Sequence, residues 1–203
     1  MPQPRILVVD DDLQVLDVLN RILSANGFDP EVFCSARALL ATIDPDDVGC
    51  VVADLEMPDM SGMELQTELI QRQSCLSLVV VTGHADVQRA IQVMGHGAVM
   101  LLEKPFKGHQ LVSEVSKGVG LSEQTYARRK RIRTANQAIS LLTDEELQVM
   151  KLAAHGLANK TIGYELSISQ RTVDRRRQSA LLKLGIASVA EFALMLAASQ
   201  ESE

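Results

Sequence analysis

Tryptophan is absent from this chain of 203 residues, and aromatic side chains make up only 3% of it. A core must therefore be built mainly from aliphatic side chains and methionine. No apolar run approaches the roughly 18 residues that a membrane-spanning helix requires. The first apolar run, at residues 6–9, is followed at once by three aspartates, unlike the apolar part of a secretory signal peptide. These absences predict a cytoplasmic protein with no membrane contact.

Cysteine and histidine are scarce, and neither shows the spacing of a metal site. The three cysteines, Cys34, Cys50 and Cys75, are odd in number and form no CxxC pair. Because they lie in apolar surroundings, we expect buried free thiols rather than disulfides or metal ligands. The four histidines are scattered, and surface or loop positions are expected for them.

Charge is distributed unevenly along the chain. Residues 1–121 contain 8 Lys and Arg against 17 Asp and Glu. Residues 122–136 contain 5 basic residues and one acidic residue, and residues 137–203 contain 7 basic against 8 acidic residues. An acidic front, a basic connector and a balanced rear favour two domains with different tasks.

The front part alternates short apolar runs with helical patterns. Strand candidates lie at residues 6–9, 31–34, 50–53, 78–81 and 99–102. After the helix that begins near Leu13 and a short helix capped by Ser35, further helices are expected at 62–72, 85–95 and 107–118. This alternation indicates βαβ units. We therefore predict an α/β domain over residues 1–120, with a five-stranded, doubly wound parallel sheet of the flavodoxin type.

Only helical patterns follow residue 120. Residues 121–140 are interpreted as a basic linker, and an a/d-like apolar spacing favours a helical connector over a disordered one. Residues 141–203 predict an all-α domain of four helices. The first opens with Thr143 and Glu146 in a capping box, the second with Asn159 as its cap, and the third with Ser169 as its cap. The tight turn between the second and third helices predicts a helix-turn-helix.

Polar residues stand where the predicted strands of the front domain end. Asp10 and Asp11 follow the first strand, Asp54 the third, Thr82 the fourth and Lys104 the fifth. In doubly wound sheets, ligands bind beyond these carboxyl ends. Three converging carboxylates repel one another unless a cation intervenes, and a hard divalent ion, Mg²⁺ or Mn²⁺, suits their oxygen atoms. Asp54 could then accept a phosphoryl group, with the cation, Lys104 and Thr82 stabilising the charge.

These residues lie in the segments VVDDD, VVADLEMPDMSGMEL, VVVTGHAD and GAVMLLEKPF, which resemble the receiver domain of two-component response regulators. The resemblance implies that Asp10 and Asp11 hold Mg²⁺, that Asp54 accepts phosphate from a histidine kinase, that Thr82 senses it and that Lys104 bonds it. It also implies that Glu56 offers its backbone carbonyl to the metal and that the bond before the proline at position 105 is cis.

The chain departs from that family at one position. Leu101 stands three residues before Lys104, where the family usually has Tyr or Phe. A rotamer change of an aromatic ring is thus excluded as the switch, and a phosphate signal would pass through aliphatic packing. A haloacid-dehalogenase-type phosphatase would need Thr or Val at position 14, where this chain has Gln14. We therefore predict a regulator and not an enzyme.

The rear segments, LTDEELQVMKLAAHGLANKTIGYELSISQRTV and KLGIAS, resemble the LuxR-type helix-turn-helix of the NarL/FixJ group. The resemblance implies that the third helix enters the major groove of promoter DNA. The fourth helix of this family is often used for dimerisation. A homodimer when phosphorylated is therefore expected, on half-sites about one helical turn apart.

Helical geometry separates the arginines of TVDRRRQS in the third helix. If Val173 packs inward, the outward side chains include Arg171, Asp174, Arg175 and Gln178. Arg175 could bond guanine, Gln178 adenine and Asp174 cytosine. The side chains better suited to phosphates are those of Lys160, Thr172, Arg176 and Arg177.

Two alternatives remain open from the sequence. The chain could be a signalling adaptor whose receiver docks protein partners while the rear domain dimerises. It could also bind DNA independently of phosphate, because Leu101 replaces the usual aromatic residue.

Overall fold

A computed structural model describes residues 2–83 and 99–200. The described residues fall into two compact units, which divide between Tyr126 and Ala127. The division lies inside the segment that the sequence assigns to a linker. The helix predicted at 85–95 and two of the histidines, His84 and His96, lie outside the described residues.

The first unit contains a five-stranded parallel sheet in the order β2-β1-β3-β4-β5. Its strands are β1 Arg5–Val9, β2 Pro30–Phe33, β3 Gly49–Asp54, β4 Ser77–Thr82 and β5 Val99–Glu103. The order reverses direction after β1, which places a crevice between the carboxyl ends of β1 and β3. The predicted α/β class and parallel sheet are confirmed, and β2 begins one residue earlier than expected.

Helices cover both faces of this sheet. They are α1 Leu13–Ala25, α2 Ala36–Leu40, α3 Gly62–Gln71 and the front of α4 Gly108–Ile139. Leu7 and Val51 pack with Leu65 on one face, and Val8 packs with Leu111 on the other, all fully buried. Because strand side chains alternate between the faces, continuous apolar runs are needed to fill both layers.

The segment that the sequence assigns to a linker is helical up to Ile139, the last residue of α4. Its middle is held to the sheet by Ser122, which is 1% exposed and whose hydroxyl accepts a hydrogen bond of 2.8 Å from the amide of Gly49. One turn earlier, a Cβ on Gly118 would lie 2.6 Å from the Ser77 hydroxyl oxygen. The glycine therefore permits α4 to lie close to β4.

One cysteine prediction was wrong. Cys50 and Cys75 are buried free thiols as expected, but Cys34 is exposed. Cys34 follows β2, which is the outermost strand on its side of the sheet among the described residues. An apolar sequence environment does not bury a residue at such an edge.

The second unit contains the rear of α4 and four further helices. They are α5 Asp144–Ala154, α6 Asn159–Glu165, α7 Gln170–Leu184 and α8 Val189–Ser199. The predicted helix-turn-helix is formed by α6 and α7. A Cβ on Gly163 would lie 2.8 Å from the carbonyl oxygen of Ile168, so this glycine permits the close approach at the turn.

The caps of these helices follow the sequence with one exception. Thr143 and Glu146 form the expected capping box, and Ser169 caps α7, which ends at Gly185 in the left-handed conformation. Asn159 is not a cap, because α6 is preceded by Ala158 and has no side-chain cap. The Asn159 amide instead contacts α7.

Glu146 joins α5 to α7 inside the second unit. Its carboxylate, only 9% exposed, accepts hydrogen bonds of 2.7 Å from the Ser179 hydroxyl and from the Lys183 ammonium, besides the amide of Thr143. Burial alone would raise the pKa of Glu146, but these hydrogen bonds outweigh it and lower the pKa from its ordinary value to about 2.

Replacing Glu146 by Gln should lower the free energy of unfolding of the full chain by about 2 kcal/mol at pH 7, since hydrogen bonds to a buried charge are lost. Because the folded pKa lies below the ordinary value of 4.5, the stability that Glu146 contributes is present above pH 4.5 and is lost as the pH falls toward about 2. Denaturant unfolding at several pH values measures this difference. Glu145→Gln, which removes the exposed neighbouring carboxylate, is the control and should change stability little. A Glu146→Gln deficit that stays constant down to pH 2.5 contradicts the assignment.

Candidate functional site

Three carboxylates meet at the crevice between β1 and β3. Asp10 and Asp11 follow β1, and Asp54 ends β3, the adjacent strand. One oxygen from each of the three lies within 4.8 Å of the others. The grouping predicted from strand ends is therefore present, with Asp10 buried and Asp11 exposed.

Lys104 brings a positive charge to the same place. Its ammonium nitrogen lies 3.0 Å from Asp54 Oδ1 and 3.8 Å from Asp10 Oδ2. The Lys104 amide donates to the carbonyl of Thr82 at 2.7 Å, which fixes the loop after β5 to the end of β4. The bond from Lys104 to Pro105 is cis, as the resemblance implied.

Thr82 lies at the carboxyl end of β4, beside the strand that carries Asp54. It is 1% exposed, and its hydroxyl donates to the carbonyl of Gly83 at 3.1 Å. Leu101, paired with Val80 in the sheet, is partly buried against the apolar cluster on the α2 and α3 face. The position of the usual aromatic residue is thus filled by aliphatic packing.

The loop after Asp54 is drawn tightly against the site. The amide of Gly62 donates to the carbonyl of Leu55 at 2.9 Å, and a Cβ on Gly62 would lie 2.7 Å from the carbonyl oxygen of Asp54. A side chain at position 62 would push the loop away from the phosphoacceptor candidate. Glu56, whose backbone carbonyl is the expected fourth ligand, lies in this loop with an exposed side chain.

Asp59 fixes the far end of that loop, a role that sequence reasoning missed. Its carboxylate accepts hydrogen bonds from the Ser35 hydroxyl at 2.7 Å and from the Arg37 amide at 3.2 Å, at the start of α2. Burial opposes ionisation, but these hydrogen bonds prevail and lower the pKa of Asp59. This role of Asp59 could not be inferred from the motif in which it lies, because Ser35 and Arg37 are more than 20 positions away along the chain.

The electrostatics of the three carboxylates favour a bound cation. Burial is the main cause that raises the pKa of Asp10, and the charges of Asp54 and Asp11 add to it, while the Asp12 amide and Lys104 lower it. One ammonium group therefore does not neutralise the cluster. Carboxylate oxygens around a partly open position are the donor set that hard divalent ions prefer, so the residues present fit such an ion.

The second unit presents an exposed polar face on α7. Val173 is fully buried, as assumed, and the expected outward residues are exposed, namely Arg171, Asp174, Arg175 and Gln178. Lys160 on α6 is also exposed, whereas Thr172 is half-buried and shares a 2.8 Å hydrogen bond with the Ser169 hydroxyl. The burial pattern confirms the faces deduced from helical geometry.

The three consecutive arginines have different environments. Arg176 forms a 3.1 Å ion pair with Glu145 of α5 and is 21% exposed. Arg177 is half-buried and donates to the side-chain oxygen of Asn159 at 2.5 Å. Arg177 is thus directed into the domain in this structure, and its expected phosphate contact stays a prediction. Within the described residues, the Arg175 guanidinium is the one of the three with no protein partner.

The acidic site and the arginine-bearing face belong to different units. Two acidic partners on α5, Glu145 and Glu146, were not recognised as contacts from the sequence, because only the folded arrangement brings α5 beside α7. In the part of the chain that is described, no single helix is long and apolar enough to span a membrane. The helices α7 and α8 are long and apolar enough only when they are taken together, and they are bent by 63° at the break between them.

Two family models match the chain. The response regulator receiver domain matches residues 6–116, and the luxR family of bacterial regulatory proteins matches residues 140–196. The transcriptional regulatory protein FixJ of Azorhizobium caulinodans is 37% identical over 93% of this chain and 89% of that protein. Nodulation protein W of Bradyrhizobium diazoefficiens is 34% identical over 94% of this chain and 84% of its own length.

Two solved structures are also similar over most of the chain. The response regulator StyR has a TM-score of 0.84 at 34% identity and covers 97% of this chain and 99% of its own. Full-length FixJ from B. japonicum has a TM-score of 0.58 at 30% identity and covers both chains completely.

Replacing Asp10 by Asn should stabilise the metal-free protein by about 1 kcal/mol at pH 7, because a crowded carboxylate is removed. The folded pKa of Asp10 is raised, so its ionisation costs stability as the pH rises through that pKa. The gain should therefore vanish in acid. Denaturant unfolding in a chelator measures it. Asp12→Asn, which alters an exposed helix cap to an equivalent one, should show no gain. A loss of stability in Asp10→Asn at pH 7 contradicts the account.

Proposed function

The chain belongs to the response regulators of two-component systems, with a receiver domain followed by a LuxR-family regulatory domain, and from this membership we propose how it works. A histidine kinase transfers a phosphoryl group to Asp54, and the phosphorylated protein binds promoter DNA through α7. The observation that carries the proposal is the convergence of Asp10, Asp11, Asp54 and Lys104 in a chain that also has an exposed arginine on a helix-turn-helix.

In the transfer step, a carboxylate oxygen of Asp54 attacks the phosphorus of the kinase phosphohistidine. The oxygen–phosphorus bond forms as the phosphorus–nitrogen bond breaks, and the electron pair returns to the imidazole. Asp10, Asp11, Asp54 and the Glu56 carbonyl would hold Mg²⁺ or Mn²⁺, which when bound supplies positive charge to the phosphoryl oxygens. Lys104 is proposed to bond one of those oxygens, and its 3.0 Å distance from the Asp54 carboxylate supports this role.

The Thr82 hydroxyl is the proposed sensor of the phosphate. It bonds the carbonyl of Gly83 in the present arrangement, at 3.1 Å. A phosphoryl oxygen on Asp54 offers a charged acceptor, which makes a stronger hydrogen bond than a neutral carbonyl. Movement of Thr82 toward it would alter packing around Val80 and Leu101, so the signal passes through aliphatic contacts.

The DNA contacts follow from the exposed face of α7. Arg175 is proposed to bond guanine, Gln178 adenine and Asp174 cytosine. Phosphates are assigned to Lys160, Arg171, Thr172 and Arg176. Arg176 must leave Glu145 to do so, and the pair is partly solvent-exposed, so the exchange costs little.

Two copies are proposed to act together when phosphorylated. One small domain buries little DNA surface, and 17 acidic residues in residues 1–121 oppose approach to the phosphates. Pairing on adjacent half-sites adds the binding free energy of a second domain. The proposal places these events in the cytoplasm, with domains at 1–120 and 141–203 joined through 121–140.

A second candidate is DNA binding that does not depend on phosphate. The observation in its favour is Leu101, because the aromatic rotamer switch of the family has no equivalent side chain here. It is distinguished by comparing DNA affinity before and after phosphorylation.

Incubation with acetyl phosphate and Mg²⁺ should add the mass of one phosphoryl group to the intact protein, because Asp54 is a partly exposed carboxylate beside Lys104. Intact-protein mass spectrometry measures the addition, and Asp54→Asn should show none. Asp17→Asn, which removes an exposed carboxylate from α1, is the control and should still be labelled. Full labelling of Asp54→Asn overturns the assignment.

Replacing Arg175 by Ala should weaken binding to a preferred duplex by about tenfold or more, since a bidentate contact to guanine is lost. The duplex is first selected from a random library by the unaltered protein, and fluorescence anisotropy measures affinity. Lys151→Ala removes an exposed positive charge from α5 and is the matched control, with a much smaller effect expected. Equal losses in the two variants would mean that Arg175 contributes charge alone.

A further inference from the structure

Asn159 is the first residue of α6, but its side chain does not form hydrogen bonds with the start of its own helix. The start of α6 is capped by Ala158 without a side-chain hydrogen bond. The Asn159 side chain instead crosses to α7, where its amide nitrogen donates to Asp174 Oδ1 and its oxygen accepts from Arg177 Nη1. Both ends of one amide are thus engaged by the helix that carries the DNA-reading candidates.

The orientation of this amide is set by charge. Its nitrogen faces a carboxylate and its oxygen faces a guanidinium. The flipped amide would place a donor against a cation and an acceptor against an anion, so both contacts would become repulsive. Asn159 therefore has a single favourable orientation between Asp174 and Arg177.

Asp174 and Arg177 are three residues apart on α7, a spacing at which opposite charges usually pair directly. Among the described residues they form no ion pair with each other, and the Asn159 amide bonds both instead. Arg177 is held inward, and its Nε atom is buried without a partner. Asp174 remains on the exposed face with one oxygen bonded by Asn159.

We propose that Asn159 is a positioning residue for DNA sequence recognition, which keeps the Asp174 carboxylate directed outward by separating it from Arg177. Without the amide, Asp174 turns along the helix to the uncompensated guanidinium and no longer reaches a cytosine amino group. The inference rests on the proposed DNA binding through α7 and adds a specificity-determining contact from the preceding helix.

The test uses the full-length protein phosphorylated with acetyl phosphate, and duplexes that differ by one base pair from the selected one. Asn159→Ala and Asp174→Ala should each lower discrimination at the same base pair by about tenfold. In the Asp174→Ala background, Asn159→Ala should have no further effect there. Asn136→Ala, an exposed asparagine of the same unit, is the control and should leave discrimination unchanged.

A purely structural role gives a different result. Asn159→Ala would then weaken binding to every duplex by the same factor, and its effect would persist in the Asp174→Ala background. That outcome overturns the inference. Should Asn159→Ala fold poorly by thermal unfolding, Asn159→Asp still compensates the charge of Arg177 and therefore leaves Asp174 directed outward. It should retain the discrimination, and loss of discrimination by a folded Asn159→Asp also overturns the inference.

Failure of the proposed DNA binding can be distinguished from failure of the positioning role of Asn159. If the unaltered protein selects no duplex from the library, DNA reading by α7 is contradicted, and the role of Asn159 with it. If it selects one but Asp174→Ala leaves every base-pair preference intact, only the positioning role is overturned.

Discussion

Repulsion among Asp10, Asp11 and Asp54 is the constraint around which the first unit is organised. Adjacent strands β1 and β3 bring their oxygens within 4.8 Å, and Lys104 supplies one positive charge against three negative ones. Burial of Asp10 makes its ionisation still less favourable and raises its pKa. The apolar layers on both faces of the sheet hold this arrangement in place. Repulsion of this kind makes such a site less stable alone than when a cation is bound.

In the second unit, the charge that is concentrated in one place is positive. Three consecutive arginines on one helix turn would repel one another and attract any phosphate. Glu145 pairs with Arg176 and Asn159 holds Arg177, so within the described residues Arg175 is the one of the three whose guanidinium has no protein partner. The contacts that restrain the arginines come from α5 and α6. The pattern of exposed and engaged arginines on α7 is therefore a property of the folded domain and not of its sequence run alone.

Much of this was predictable from local patterns. Apolar runs located the five strands, Thr143, Ser169 and Gly185 marked helix ends, and strand-end aspartates located the acidic site. The failures share a physical cause. Cys34 is exposed because β2 is an edge strand, Asn159 bonds α7 instead of capping α6, and Asp59 reaches back to Ser35. Each depends on tertiary neighbours distant in sequence, for which a single chain carries no periodic signal.

Phosphate on Asp54 is proposed to control DNA binding by α7. The most direct measurement is the affinity of the full-length protein for its selected duplex, with and without acetyl phosphate and Mg²⁺, using Asp54→Asn as the reference that cannot be phosphorylated. Incubation with acetyl phosphate and Mg²⁺ should tighten binding of the unaltered protein by about tenfold and leave the affinity of Asp54→Asn unchanged. Equal affinities for the phosphorylated and unphosphorylated protein would contradict it.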